Sequence, residues 1–252
     1  MLGTGRAITR LIAFVAVTLP LMPLQQLFIW FWPAMAQRFP HLYHRLLCRI
    51  LGVKVVVEGQ LPQGACLLVA NHVSWLDIVV LSAALPCSFI AKREVNGWPF
   101  FGSLARLQRT VFVDRQRRHS TADSRDIIAR RLAQGDKLVL FAEGTSGDGA
   151  SVKPFKSSFF AAAGSDTAII PVTLAYVGLW NLPLTRRMRP FIAWYGDMDL
   201  APHLWQAVKA GPVTVRVMFH DALDAAHRKH AAREAENLIR ETLADALHHS
   251  LH

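Results

Sequence analysis

Short apolar runs rich in β-branched and aromatic residues recur along the chain after residue 53, with polar and turn-forming residues between them. Runs of this kind predict β-strands. Two stretches between them have helical character, Asp77–Ala84 and Ser120–Ala133, the second with Ser120 as a plausible cap. The predicted strands are Lys54–Val57, Ala65–Ala70, Ser88–Ala91, Thr110–Val113, Lys137–Phe141, Ala168–Leu174, Pro190–Tyr195 and Val213–Phe219.

The alternation of strands and helices predicts an α/β fold with a mixed central β-sheet flanked by helices. The closing segment from Asp221 to His249 is rich in alanine and polar residues, as in a long amphipathic helix. We expect an N-terminal anchor in residues 1–45 and an α/β domain in residues 46–252.

The chain before the first predicted strand is apolar from Leu11 to Ala36 and has no acidic residue before Glu58. Arginines flank both ends of the apolar stretch, so a single crossing would place positive charge on both faces of a membrane, against the usual cytoplasmic bias. A re-entrant or interfacial helical hairpin avoids this conflict. A single tilted span and a cleaved signal peptide are the alternatives.

Pro20 and Pro23 lie where such a hairpin would turn. The arms would be Leu11–Leu19 and Leu24–Trp32, each too short to span a hydrocarbon core of about 30 Å.

Composition supports a membrane partner. The 252 residues are 52% hydrophobic, include seven tryptophans and carry a formal net charge of +10. Positive charge is attracted to the anionic cytoplasmic leaflet. Nucleic acid is the rival partner for a basic chain, but no nucleic-acid-binding motif is present. The scattered Cys48, Cys66 and Cys87 indicate reduced core residues, with neither a disulfide framework nor a metal site.

The segment from Asn71 to Asp77 contains a candidate general base. It follows the buried run Ala65–Ala70, and sites in open α/β sheets lie at the carboxyl ends of strands. Residues five apart on one helix point about 140° away from each other. We therefore expect His72 on the turn and Asp77 on the first turn of the next helix, where the carboxylate orients the imidazole. A helix start capped by Asn71 or Ser74 is the noncatalytic alternative.

Four blocks in this order resemble the signature of the glycerolipid acyltransferases, which include the bacterial 1-acylglycerol-3-phosphate acyltransferases. The resemblance covers roughly residues 45 to 220. The blocks are Asn71-His72 with Asp77, Val111-Phe112-Val113-Asp114-Arg115, Phe141-Ala142-Glu143-Gly144-Thr145 and Ile169-Ile170-Pro171-Val172.

The resemblance implies an O-acyltransferase in which His72 deprotonates the hydroxyl of a lysolipid and Asp77 holds His72. The hydroxyl would attack the thioester of acyl-CoA or acyl-carrier protein directly. No cofactor is implied, and the implied place is the cytoplasmic face of the inner membrane. The acceptor would be 1-acylglycerol-3-phosphate, giving phosphatidic acid. The substrate-binding residues that it implies, mainly for the head group, are Asn71, Lys92, Arg115, Glu143, Gly144 and Thr145.

The chain departs from the family pattern around Glu143. Many members have proline before the glutamate and arginine directly after the threonine, whereas here Ala142 precedes Glu143 and Ser146 follows Thr145. Arginine is the preferred bidentate partner of phosphate, so its absence leaves another acceptor open, such as a lyso-ornithine lipid. Two basic clusters are candidates to compensate: Arg106, Arg109, Arg115, Arg117 and Arg118, and Lys153 with Lys156.

Two functions of other classes remain as alternatives. A noncatalytic lipid-binding scaffold would have no need of a base at His72. A serine hydrolase would need a Gly-x-Ser-x-Gly elbow, which the sequence lacks. The apolar segment from Gly97 to Gly102 borders an acyl-chain groove or packs in the core.

Overall fold

The computed structural model describes residues 2–114, 118–162, 167–225 and 227–249. Its helices are α1 (Leu2–Phe31), α2 (Pro33–Leu51), α3 (Leu76–Ala84), α4 (Phe101–Leu107), α5 (Arg118–Ala133), α6 (Leu200–Ala210) and α7 (Arg228–His249). Its strands are β1 (Val53–Glu58), β2 (Cys66–Ala70), β3 (Ser88–Lys92), β4 (Val111–Val113), β5 (Lys137–Phe141), β6 (Ala168–Leu179), β7 (Leu182–Pro183) and β8 (Val213–Phe219). Short 3-10 helices lie at Arg93–Gly97, Ser157–Ala162 and Arg189–Phe191.

The sheet has the strand order β1-β8-β6-β2-β5-β3-β4, with β7 paired to β6. Strand β6 runs antiparallel to β7 and β8, and the other neighbours are parallel. Alternate residues of β2 enter apolar clusters on opposite faces: Leu68 packs with residues of α2, α3 and α6, and Leu67 packs with residues of α5 and α7. This architecture confirms the mixed α/β prediction.

The N-terminal helices form an antiparallel hairpin. The hydroxyls of Thr18 and Tyr43 are 2.8 Å apart, and the Gln25 amide donates to the carbonyl of Ala36 at 3.1 Å. A hairpin was expected, but its predicted turn and arms are wrong. Helix α1 runs on through both of its prolines, and the chain turns at Trp32. The turn falls there because Pro33 occupies the first turn of α2, a place that suits proline.

Helix α1 lies along the α/β domain over most of its length. Arg6 and Arg10 donate to the carbonyls of Lys209 and Val208 at the end of α6, at 3.3 and 2.9 Å. Toward its other end, Gln25 donates to the carbonyl of Leu107 in α4 at 2.9 Å. These contacts hold the helix against the domain and offset the backbone hydrogen bonds that its prolines remove.

The outward face of α1 is apolar, with exposed side chains at Ile8, Ile12, Val15, Leu19 and Leu27. Within the described ranges, Gly3–Phe31 is the one helical stretch long and apolar enough to cross a membrane, with a mean hydropathy of 1.9. Helix α2 continues past residues 45 and 46 to Leu51, so the predicted domain boundary falls inside a helix.

Three local predictions are wrong. The run Pro190–Tyr195 begins in a 3-10 helix and forms no strand, since Trp194 instead donates its backbone N–H to the carbonyl of Val73 at 2.9 Å. Helix α5 begins at Arg118, which places Ser120 inside it. Helix α7 begins at Arg228 and not at Asp221, because Leu223 pairs with Ile169 of β6.

The cysteines are core residues, as expected. Cys48, Cys66 and Cys87 are buried free thiols. Burial raises the pKa of Cys66 to about 11, so this thiol stays protonated and unreactive at neutral pH.

A buried carboxylate ties the hairpin to the sheet. Asp136, just before β5, accepts two hydrogen bonds from the Arg109 guanidinium at 3.0 and 3.1 Å and another from Arg131. It also accepts one from the amide of Gln37 in α2 at 3.1 Å. The carboxylate therefore joins two cations and a helix of the hairpin.

We expect Asp136→Asn to lower the free energy of unfolding by about 3 kcal/mol, because it leaves two half-buried guanidinium groups without a counter-charge. Urea unfolding in detergent measures the loss, and Asp221→Asn at an exposed position is the matched control. Equal midpoints for the two variants would mean that the network contributes nothing to stability.

Candidate active site

The candidate base lies at the carboxyl end of a central strand. Strand β2 lies between β5 and β6 and ends at Ala70, and residues 71–75 form the turn into α3. On this turn, His72 Nδ1 is 2.7 Å from Asp77 Oδ2, and Asp77 lies in the first turn of α3. The Asp77 side chain is 0% exposed and that of His72 is 18% exposed. The predicted placement of both residues is confirmed.

Asp77 accepts four hydrogen bonds. Its Oδ2 accepts the backbone N–H groups of Val73 and Ser74 at 2.7 and 3.1 Å in addition to His72. Its Oδ1 accepts the hydroxyl of Tyr176 in β6 at 2.6 Å. Burial and the nearby Asp77 charge raise the pKa of Tyr176 well above its usual value, so the phenol remains a donor. These donors replace the water that a buried carboxylate loses and fix its direction.

The His72 ring is held from a second side. It stacks on Phe141, the last residue of β5, with ring centroids 4.0 Å apart and planes 17° apart. Since Asp77 is the acceptor at Nδ1, we assign the proton of the neutral ring to Nδ1. The Nε2 lone pair then lies at the opposite edge of a partly exposed ring, where a base needs it.

Glu143 ties the next strand to the same turn. Its Oε1 accepts the backbone N–H of His72 at 2.7 Å, and its Oε2 accepts that of Lys153 at 2.9 Å. The residue is 4% exposed. Burial raises its pKa to about 7, against the two hydrogen bonds, which lower it. In this conformation the carboxylate holds backbone groups together, and the predicted contact with a head group stays a prediction.

The loop after Glu143 packs on the His72 turn. The backbone N–H of Gly147 donates to the carbonyl of His72 at 2.8 Å. Gly149 has a φ of +72°, and a Cβ there would lie 2.9 Å from a methyl of Val73, so only glycine fits. Gly144 is also left-handed, at +77°. Thr145 is exposed beside them. The loop is therefore not a free surface turn.

Asn71 serves a structural purpose in this arrangement. Its amide donates to the carbonyl of Leu174 at 3.0 Å and accepts the Leu174 N–H at 2.8 Å, which ties the end of β2 to β6. The predicted caps are wrong: the cap residue of α3 is Trp75, not Asn71 or Ser74, and it makes no side-chain cap hydrogen bond.

The remaining predicted residues are spread out. Lys92 ends β3 and is exposed, and Arg115 lies outside the described residues, as does Arg117. Arg106 is hydrogen-bonded to Asn96. Within the described ranges, no three His, Cys, Asp or Glu side chains lie close enough to hold a metal ion.

Sequence reasoning missed Tyr176 as a site residue. It lies beyond the predicted end of its strand, and only the pairing of β6 with β2 brings its hydroxyl to Asp77. No local pattern around Tyr176 indicates that contact.

An apolar cavity of about 240 Å³ lies between the helical hairpin and the sheet, next to the His72 turn. Trp75, from that turn, lines it together with Trp98 and Phe101, which belong to the apolar segment from Gly97 to Gly102. Phe89 and Ala91 of β3 and six residues of α1 also line it: Leu11, Phe14, Thr18, Leu21, Met22 and Gln25.

The family profile described as Acyltransferase matches residues 52–175. A lyso-ornithine lipid O-acyltransferase from Brucella abortus is 42% identical over 98% of this chain and 97% of its own length. A protein of the same name from Rhizobium meliloti is 41% identical over 92% of this chain and 84% of its own length. A 1-acyl-sn-glycerol-3-phosphate acyltransferase from Neisseria meningitidis is 34% identical over 73% of this chain and 71% of its own length.

Among solved structures, the fold matches that of the 1-acyl-sn-glycerophosphate acyltransferase PlsC from Thermotoga maritima. The TM-score is 0.68 at 18% identity, over 95% of this chain and 94% of the other. With the site geometry and the full-length relatives in agreement, the chain belongs to the glycerolipid acyltransferase family.

Proposed function

We propose that this enzyme transfers a fatty acyl group from a thioester to the free hydroxyl of a lyso-ornithine lipid at a membrane surface. The observation that carries the chemistry is the 2.7 Å contact between His72 Nδ1 and the fully buried Asp77 carboxylate. An imidazole held in this way is a general base with its tautomer fixed and its charged form stabilised.

In the proposed reaction, His72 Nε2 takes the proton of the acceptor hydroxyl while the hydroxyl oxygen attacks the thioester carbonyl. The tetrahedral intermediate collapses with cleavage of the carbon–sulfur bond, and the leaving thiolate takes the proton from the imidazolium. Asp77 keeps its hydrogen bond to the imidazole Nδ1 throughout and stabilises the cation. No acyl group is carried by the protein. Acyl-CoA and acyl-carrier protein are both donors of the required chemistry.

Two observations favour a lyso-ornithine lipid as the acceptor. Two relatives of that name align over 98% and 92% of this chain. The position after Thr145 is Ser146, where an arginine would grip a phosphate. Lysophosphatidate is the second candidate, because a relative of that activity is 34% identical.

The apolar cavity is the proposed site of an acyl chain. Its lining is almost entirely apolar, and Trp75 connects it to the His72 turn. A fatty chain buried there gains about 0.8 kcal/mol for each CH₂ group removed from water.

We propose that the membrane meets the protein at α1 and that this is the cytoplasmic face, where thioester donors are available. Trp30, Phe31 and Trp32 are exposed at the hairpin turn, and aromatic side chains of this kind suit the interface. Because α1 is held against the domain from Arg6 to Gln25, the arrangement favours a helix lying in the interface over one that crosses the bilayer.

We expect His72→Ala to lower kcat at least 100-fold with labelled acyl-CoA and lyso-ornithine lipid in nanodiscs, because the general base is lost. His248→Ala, at an exposed position near the end of α7, is the matched control. Product formed equally by both variants would sink the general-base role. Lysophosphatidate used faster than lyso-ornithine lipid by the wild type would reverse the proposed acceptor.

Glu143 gives a pH dependence of stability. Its pKa is raised from 4.5 to about 7 in the folded protein, so between these values the folded protein holds a proton that the unfolded chain has lost. The contribution of Glu143 to the free energy of unfolding should therefore fall as pH rises through this window and level off above it. Urea titrations at several pH values measure it as the difference between wild type and Glu143→Gln. A flat difference, or the same slope for exposed Glu94→Gln, would contradict the assignment.

We expect the double substitution of Ile12 and Leu19 by glutamate to lower binding to vesicles of anionic phospholipid at least tenfold. Both side chains lie on the exposed apolar face of α1, and burying each in lipid is worth about 1.5–3 kcal/mol. Cosedimentation measures binding, with Leu61→Glu as the control in an exposed loop. Unchanged binding of the double variant would exclude α1 as the membrane contact.

A further inference from the structure

A lysine stands beside the His72 turn at the place where the family arginine is missing. The backbone N–H of Lys153 donates to Glu143 at 2.9 Å, and its ammonium donates to the carbonyl of Ser146 at 2.7 Å. Ser146 is the residue that directly follows Thr145, the position of the family arginine. The side chain of Lys153 therefore reaches back to that position from further along the chain.

Gly147 fixes how near this lysine is to the candidate base. A Cβ built on Gly147 would lie 3.7 Å from the carbonyl oxygen of His72 and 3.8 Å from Cε of Lys153. The Gly147 N–H also donates to that carbonyl at 2.8 Å. The end of the Lys153 side chain, the Glu143 carboxylate and the His72 turn therefore lie around the same glycine.

The charge of this lysine has a neutral partner. An ammonium has three donors, and among the described residues the Ser146 carbonyl is the acceptor it reaches. Glu143 is near enough for this charge to oppose the rise in its pKa, although both Glu143 oxygens accept backbone N–H groups and, within the described ranges, Lys153 forms no salt bridge. Lys153 is half-buried, so its charge is only partly screened by water.

We propose that Lys153 binds the anionic group of the acceptor head group while His72 acts on the hydroxyl. The proposal rests on the proposed function. The anion is a carboxylate in a lyso-ornithine lipid and a phosphate in lysophosphatidate. A lysine is a point charge that pairs with either anion, so the acceptors have to be compared directly.

The alternative is that Lys153 only balances the Glu143 charge. A structural role of that kind would lower kcat for every acceptor and would lower stability. A binding role acts on the Michaelis constant of the acceptor and depends on whether the acceptor carries an anion. The two roles therefore separate in a double-mutant cycle between the protein and the lipid.

The experiment pairs wild type, Lys153→Ala and Lys153→Arg with lyso-ornithine lipid and its carboxyl methyl ester, which lacks the anion. We expect Lys153→Ala to lower kcat/KM for the free acid about 10- to 100-fold through the acceptor KM, with the donor KM and thermal unfolding unchanged. Lys153→Arg should restore most of it. The wild type should lose a similar factor on the ester, on which Lys153→Ala causes no further loss. The same series with lysophosphatidate distinguishes phosphate from carboxylate.

Lys229→Ala, exposed on α7, is the matched control. The proposal would be overturned if Lys153→Ala lowered kcat/KM equally on the acid and the ester. It would also be overturned if Lys156→Ala, and not Lys153→Ala, caused the loss of kcat/KM on the acid. Binding of both lipids without turnover is measured by calorimetry in nanodiscs. The comparison is between His72→Ala and the same variant that also carries Lys153→Ala. Absence of product from the wild type with every acceptor would overturn the proposed function, and the binding data would still decide the role of Lys153.

Discussion

The site depends on the burial of one charge, the Asp77 carboxylate. A carboxylate with no exposure is tolerated only when hydrogen bonds replace its water, and here a ring, two backbone N–H groups and a phenol do so. These donors come from the turn after β2 and from the neighbouring strand β6. The hydrogen bonds from these donors to Asp77 together fix the path of the turn, the start of α3 and the direction of the His72 ring.

Glu143 uses its carboxylate in a similar way just after the neighbouring strand, β5. In the β2–β5 pairing Ala70 faces Phe141, so His72 and Glu143 occupy equivalent positions two residues beyond the strand ends. The Glu143 carboxylate then binds the His72 backbone, and the Phe141 ring supports the His72 side chain. The register of two parallel strands is thus what brings the blocks around His72 and Glu143, far apart in sequence, into one site.

Features that depend on local pattern were predictable. Apolar runs bounded by turns indicated β1, β2 and β5, and the five-residue spacing placed His72 on a turn and Asp77 on a helix. Features that depend on the register between strands were not predictable. Nothing near Tyr176 or Lys153 in the sequence indicates which strand or loop each residue will face.

The predicted position of the hairpin turn was wrong for another reason. Proline inside α1 suggested a break, but packing of the helix on the domain outweighs the lost hydrogen bonds. The sequence pattern of one helix does not show the free energy that the helix gains by packing on the rest of the protein. The prolines therefore suggested a turn where the helix in fact continues.

In the proposed function, the helical hairpin lies between the lipid and the site. Helix α1 exposes apolar side chains outward and lines the cavity with Leu11, Phe14 and Leu21 on its inner side. The polar groups that it carries inward are already satisfied in part: Thr18 meets Tyr43, and the Gln25 amide nitrogen donates to two carbonyls. Since Trp75 joins this cavity to the His72 turn, one helix can contact the bilayer and shelter an acyl chain. In the proposed function, an acyl chain held there stays beside the membrane and out of water during the reaction.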